Sequence, residues 1–285
     1  MTDHAGTYLR SYLGGMQSSI WPGFKPLPGR LFEVDVCRGI AILIMVVYHL
    51  MWNLRNYAGY DINVQEGFWG YWQEATVGLF AILVGVSLTL SYRREREIRP
   101  VGSLWPKYLV RGATILTWGL LVTLVTYLTL GPDRFVRFGI LHLIGVSIAL
   151  AYPLLQFRWL NLALAAVVIG LGLVMDQIRP DLPWLSWLVR VPDTGGVDYA
   201  PVIPMLSRVL IGVFLGNLLQ PQLAERLRSS STMLLGTRSK MKPAWSAKNP
   251  AVRVLERMGQ NSLLIYFVHQ PILIGLLFLV GAGRL

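Results

Sequence analysis

The chain has 285 residues, 54% of them hydrophobic and only 14% charged, with a formal net charge of +11 and a mean hydropathy of +0.50. Soluble domains are about 25% charged, so the composition excludes an ordinary soluble enzyme. It also makes the basic balance a matter of membrane topology rather than of nucleic-acid binding. The single cysteine, Cys37, excludes an intramolecular disulfide and any cysteine-based metal cluster.

Residues 1–30 are polar, contain Gly and Pro and lack an apolar core segment, so they read as a cytoplasmic tail rather than a cleavable signal peptide. The rest, 31–285, reads as one transmembrane domain. Seven apolar stretches follow in order, at 36–55, 68–92, 106–130, 135–155, 159–177, 201–219 and 261–282. Each is long enough to approach the roughly 20 helical residues that cross a hydrocarbon core of about 30 Å. Their apolar runs are continuous, without the alternation of a barrel strand. The expected fold is therefore all-α, a polytopic membrane bundle of about seven helices. No internal repeat or inverted pair of broken helices is evident, as many secondary transporters would show.

The first span, DVCRGIAILIMVVYHLMWN, carries most of the local chemistry. Asp35 and Arg38 are three residues apart on one helix face and can pair. They read either as the lining of a ligand entrance or as a helix-start acid and a snorkelling arginine. His49 lies about 16 Å further along the helix, and Asn53 follows one turn later on the same face, beside Trp52. An imidazole near a carboxamide can serve as an oriented general base, or simply as a packed polar pair.

The second span offers Glu74 near its outer end and small residues, Gly78, Gly85, Ser87 and Ser91, for close helix approach. Arg93 and Arg94 follow it. The fourth span enters from the outside, and His142, five residues past Arg137, falls at a depth matching His49. Two histidines at one depth on antiparallel spans suggest a shared polar cavity. The seventh span holds His269, Gln270 and Pro271. Pro271 frees a backbone carbonyl, so His269 reads first as a structural partner for such a carbonyl. Asn261 and Ser262 open that span as candidate N-caps.

Loop charge sets the expected orientation. With the N-terminus inside, eighteen Lys and Arg fall on the cytoplasmic side and six on the other. The positive-inside rule then puts the N-terminus in the cytoplasm and, with seven spans, the C-terminus outside. Much of the bias comes from the basic segment 220–258, which includes Arg253 and Arg257. These arginines, with Arg93 and Arg94, read as topology signals or as a collar for a phosphate-bearing cofactor or anionic headgroup. No phosphate loop, HExxH or GxSxG motif is present, and the histidines lack the spacing of a metal site, so no metal is expected.

The segments RLFEVDVCRGIAILIMVVYH, FAILVGVSLTLSY, RFGILHLIGVSIALAYPLL, DYAPVIPMLSRVLIGVFLG and GQNSLLIYFVHQPILIG occur in this order. Over roughly 30–280 they resemble a prokaryotic membrane family grouped with the catalytic domain of heparan-α-glucosaminide N-acetyltransferase, and more distantly the transmembrane acyltransferase superfamily. The D-x-x-R-G-x-A-I run and the closing NSLLIYFVHQP are the most specific elements. The resemblance implies an acyltransferase in a prokaryotic plasma membrane. It would take acyl-CoA, in the first place acetyl-CoA, as donor and a glycan or lipid as acceptor. In the lysosomal enzyme a histidine just before a Trp-Asn pair is catalytic. His49, followed by Trp52 and Asn53, is the nearest match, although it lies inside the first span rather than after it. The resemblance thus implies His49 as general base or acyl carrier; the residues themselves add Asn53 as its orienting group and His142 as an assistant, with Asp35, Arg38, Arg93, Arg94, Arg253 and Arg257 toward the donor. The rival readings are a transporter whose polar residues line a permeation path, and a non-catalytic membrane protein.

Overall fold

The structure is a computed structural model that describes residues 31–97, 104–178, 181–191, 198–232, 249–281 and 283. The 1–30 tail, residues 233–248 of the basic loop and Arg284 lie outside the described residues. Among the described residues eight α-helices follow in order: α1 (Phe32–Ala58), α2 (Gly67–Arg96), α3 (Trp105–Leu130), α4 (Ile140–Ala151), α5 (Trp159–Ile178), α6 (Val202–Thr232), α7 (Pro250–Gln260) and α8 (Ser262–Leu279). Among the described residues there are no strands. Six helices are long and apolar enough to cross a membrane, namely α1, α2, α3, α5, the 202–219 part of α6, and α8. The protein is a multi-pass membrane helix bundle. Large apolar side chains such as Leu121, Leu124 and Leu128 on α3 and Leu171 and Leu173 on α5 are exposed, as a lipid-facing surface requires.

The chain forms two compact units. The first contains α1, the 59–65 loop, α7 and α8. Helix α1 begins with Glu33 and Asp35 in its first turn and ends at Gly59. Gly59 takes φ 72°, and its N–H bonds the Leu54 carbonyl, the left-handed closure that glycine makes without strain. Helix α7 lies antiparallel along the start of α1. Gly39 of α1 meets the Leu255 backbone and Gly259 of α7 meets the Asp35 backbone, with no room for a Cβ at either position. Asn249 caps α7 by accepting the Ala251 N–H at 3.0 Å. Helix α7 is therefore an ordered part of what reads in sequence as a basic loop. Asn261 does not cap α8 through its side chain. Its Nδ2 instead donates to the Arg257 carbonyl at 2.8 Å, so it closes α7 and forms the joint to α8.

The second unit contains α2 to α6. Helices α2 and α6 run parallel and touch through small residues. Gly85 meets the backbone of Val209, Gly212 and Val213, Gly212 meets that of Ile82, and Gly216 meets Thr89. Small residues let apolar helices approach where lipid supplies no hydrophobic drive between them. Helices α3 and α4 run antiparallel, with Gly112 against Gly145 and Gly119 against the His142 ring. A buried cluster that includes Leu88, Tyr92, Tyr108, Ile148, Leu155, Val209 and Val213 ties α2, α3, α4 and α6 together.

The fourth span departs from its expected limits. It is not helical over 135–155. Helix α4 starts at Ile140 and has 12 residues, followed by a 3-10 turn at Tyr152–Leu154. Twelve residues rise only about 18 Å. The backbone before α4 is irregular, and Val136 in it bonds α3 through both of its backbone groups. Thr123 Oγ1 donates to the Val136 carbonyl at 2.7 Å, and the Val136 N–H donates to Thr126 Oγ1 at 3.0 Å. Thr123 lies seven residues before the end of α3, about 10 Å inward. Non-helical backbone at membrane depth requires such internal partners. Further along, the Ile140 N–H bonds Asp198 Oδ2 at 3.3 Å, and the Ala200 N–H bonds the Phe138 carbonyl at 2.9 Å.

Candidate functional site

In the first unit, α1 and α8 bring four polar side chains together inside apolar helices. His49 Nδ1 and His269 Nε2 are 3.1 Å apart, with ring centroids at 4.8 Å and planes tilted by 51°. One turn further along α1, Asn53 Nδ2 donates to Gln270 Oε1 at 2.8 Å. His49, Asn53 and His269 are all buried, and Asn53 is wholly so. The i, i+4 spacing on α1 presents the imidazole and the carboxamide on one face. The adjacent residues His269 and Gln270 meet them in matched pairs, ring to ring and amide to amide.

His269 is anchored within its own helix. Its Nδ1 lies 3.0 Å from the Ile265 carbonyl and 2.8 Å from the Tyr266 carbonyl. Pro271 removes the N–H that would bond the Phe267 carbonyl, which is neither of these. The histidine thus bonds carbonyls of the ordinary helical ladder rather than the one freed by proline.

Two polar atoms in this group are uncommitted. Asn53 Oδ1 is buried without a hydrogen-bond partner, and among the described residues His49 Nε2 makes no hydrogen bond. A bare imidazole nitrogen accepts a proton, and a free carboxamide oxygen accepts an O–H or N–H. Asn53 does not hold the His49 ring, because its amide is spent on Gln270. The ring contact comes from His269, which sequence reasoning assigned to backbone support. The available signal was the coincidence of a His/Asn pair on one span and a His-Gln pair on another.

His142 lies in the second unit, and both of its ring nitrogens are engaged there. Nδ1 accepts the Gly139 N–H at 3.2 Å, so in the neutral ring the proton sits on Nε2. That nitrogen faces Thr123 Oγ1 at 3.2 Å. The ring closes the N-terminus of α4 and leaves no free nitrogen for the assisting role that the sequence suggested.

The residues expected near a donor occupy both units. In the first, Arg38 Nη1 bonds Asp35 Oδ1 at 2.9 Å, the acid almost fully buried and the arginine partly exposed. On α7, Arg253 and Arg257 are exposed, while Glu256 between them is buried and accepts from Gln260 Nε2 at 3.0 Å. In the second unit Arg94 is exposed, whereas Arg93 is partly buried and internally committed. Its Nη2 donates to Asn217 Oδ1 at 2.6 Å and reaches the Gln156 carbonyl at 3.4 Å. Asn217 in turn donates to the Leu155 and Val213 carbonyls. Arg93 thus ties α2 to α6 and to the end of the α4 segment. Glu74 is shared by Arg208 at 3.4 Å and Arg190 at 3.7 Å, a half-exposed ion group. Among the described residues, no three His, Cys, Asp or Glu side chains converge as metal ligands would.

Residues 30–271 match the family model described as heparan-alpha-glucosaminide N-acetyltransferase, catalytic. A search of the curated proteins finds no match.

Proposed function

The chain belongs to the heparan-alpha-glucosaminide N-acetyltransferase catalytic family, and from that premise we propose that it is an integral membrane acyltransferase. It would move an acyl group, in the first place acetyl, from acyl-CoA to a hydroxyl or amine of an envelope sugar or lipid. The observation that carries the reading is the free Nε2 of a buried His49, in the only span with a His-x-x-Trp-Asn sequence.

In the proposed reaction His49 Nε2 takes the proton from the acceptor O–H or N–H. The acceptor oxygen or nitrogen bonds the thioester carbon, and the carbon–sulfur bond breaks. The departing CoA thiolate recovers the proton from the imidazolium. The products are the acylated acceptor and CoA thiol, and His49 is restored. Asn53 Oδ1, with its amide held by Gln270, offers a second acceptor atom one turn away for a hydroxyl or amide of the incoming molecule. The N-terminus is proposed to be cytoplasmic. The exposed Arg94, Arg253 and Arg257 would attract the donor's phosphates, and Asp35 with Arg38 would border its entry. Arg93 is proposed to contribute through its tie to Asn217, and His142 by holding the start of α4.

The test is acyl transfer from radiolabelled acetyl-CoA by purified protein in lipid nanodiscs, followed as CoA thiol release and as label in hexosamine and lipid-linked sugar acceptors. Positioned bases contribute about 10²–10⁴-fold, so His49→Ala should lose that factor while retaining its fold. Absence of acetyl-CoA binding and of thiol release in the wild-type protein would defeat the reading.

A further inference from the structure

We infer that His269 is a positioning residue that sets the tautomer of His49, so that the free Nε2 is the basic atom. This inference rests on the proposed role of His49 as the base.

The Ile265 and Tyr266 carbonyls accept hydrogen bonds and cannot donate them, and both lie within 3.0 Å of His269 Nδ1. That nitrogen therefore carries a proton. In a neutral imidazole the other nitrogen is then bare, so His269 Nε2 is an acceptor. The atom facing it at 3.1 Å, His49 Nδ1, must be the donor. With Nδ1 protonated, His49 Nε2 holds the lone pair.

The opposite arrangement fails on geometry. A proton on His269 Nε2 would leave the Nδ1 lone pair against two carbonyl oxygens, or would require a charged imidazolium on an apolar helix. The direction of the chain is thus set by backbone: carbonyl pair, His269, His49, substrate. The second ring also has a role during the reaction. When His49 Nε2 gains a proton, the Nδ1–H bond to His269 becomes charge-assisted and strengthens. His269 therefore favours the protonated intermediate over the resting state. This contribution raises turnover without holding the donor.

The test begins with a readout that is independent of activity. The chain has four histidines, so ¹⁵N-histidine labelling in nanodiscs, with single His→Gln variants, assigns each ring. The expected result is a protonated Nδ1 and bare Nε2 on both His49 and His269, with scalar coupling across the hydrogen bond between His49 Nδ1 and His269 Nε2. A His49 that carries its proton on Nε2, or the absence of that coupling, overturns the inference. For activity, His269→Leu should lower kcat about 10- to 100-fold, the range of one charge-assisted hydrogen bond, with KM for acetyl-CoA unchanged. His269→Gln places an amide oxygen where Nε2 lies and should recover most of the loss. If His269→Leu is folded and turns over within about twofold of wild type, the positioning role is wrong. Should His269→Leu not fold, the coupling and the His269→Gln turnover decide. Expected tautomers in a protein that transfers no acyl group would uphold the His269 assignment and sink the acyltransferase reading.

Discussion

His142 Nδ1 accepts the Gly139 backbone N–H at 3.2 Å, and this bond makes the histidine the N-terminal lock of α4. An unpaired backbone donor at a buried helix start is costly, and the ring meets that need while its other nitrogen faces Thr123.

His142→Ala should therefore act on stability before chemistry. Loss of an N-terminal cap costs about 0.5–2 kcal/mol, and the other side chain at the α4 start, Asp198, bonds the Ile140 N–H rather than that of Gly139. Unfolding in mixed micelles titrated with SDS should show a loss of that order, with turnover per folded molecule within a few-fold of wild type. A stable His142→Ala protein with turnover as low as His49→Ala would return His142 to the chemistry.

The glycine contacts of α1 with α7 leave no space for a side chain. A methyl group at Gly39 would meet the Leu255 backbone, and one at Gly259 would meet that of Asp35. Backbone cannot rotate aside as a side chain does, so the helices must separate. Overpacking costs about 1–3 kcal/mol, and Gly39→Leu should exceed Gly39→Ala. SDS unfolding and the yield of inserted protein measure the effect. Gly275, with nothing within 4 Å of its added Cβ, is the internal control, and Gly275→Ala should be neutral.

Arg253 and Arg257 stand one turn apart and exposed on α7. If they attract the phosphates of acyl-CoA, Arg253→Gln with Arg257→Gln should weaken its binding about 3- to 10-fold at low salt. The difference should shrink at high salt, because screening shortens the Debye length to about 8 Å at 0.15 M and 3 Å at 1 M. Titration calorimetry at two salt concentrations checks this. Equal affinities with correct insertion would leave the two arginines as topology signals. Arg93→Gln should behave differently, losing stability through its ties to Asn217 and Gln156.

If the N-terminus is cytoplasmic and the chain crosses seven times, the C-terminus lies outside. Because α4 has only 12 helical residues, this count depends on the 131–139 segment descending beside α3. An alkaline phosphatase fusion after Leu285 should be active and a cytoplasmic fluorescent reporter there dark. A second pair of fusions at Pro132 and Phe157 tests the fourth crossing directly. Reporters on the same side at both positions would show that the segment turns back.

Length, apolar content and charge by loop are properties of successive residues. They made the helical class, the order of the long spans and the Asp35–Arg38 pair legible in the sequence by itself, because an α-helix sets its own 1.5 Å rise and i, i+3 neighbours. The start of the fourth span was not legible that way. Residues 135–139 are apolar enough to look helical, but Thr123 and Thr126 of another helix offer their backbone alternative partners. The candidate site shows the same division. His49 and Asn53 stood out as polar residues on one face of an apolar helix. The tertiary structure alone decided which ring His49 meets, since His269 is 220 positions away. The inferred proton positions rest on those same contacts. Hydrogen-bond roles depend on which atoms lie within about 3 Å, and that is settled by packing between helices rather than by neighbours along the chain.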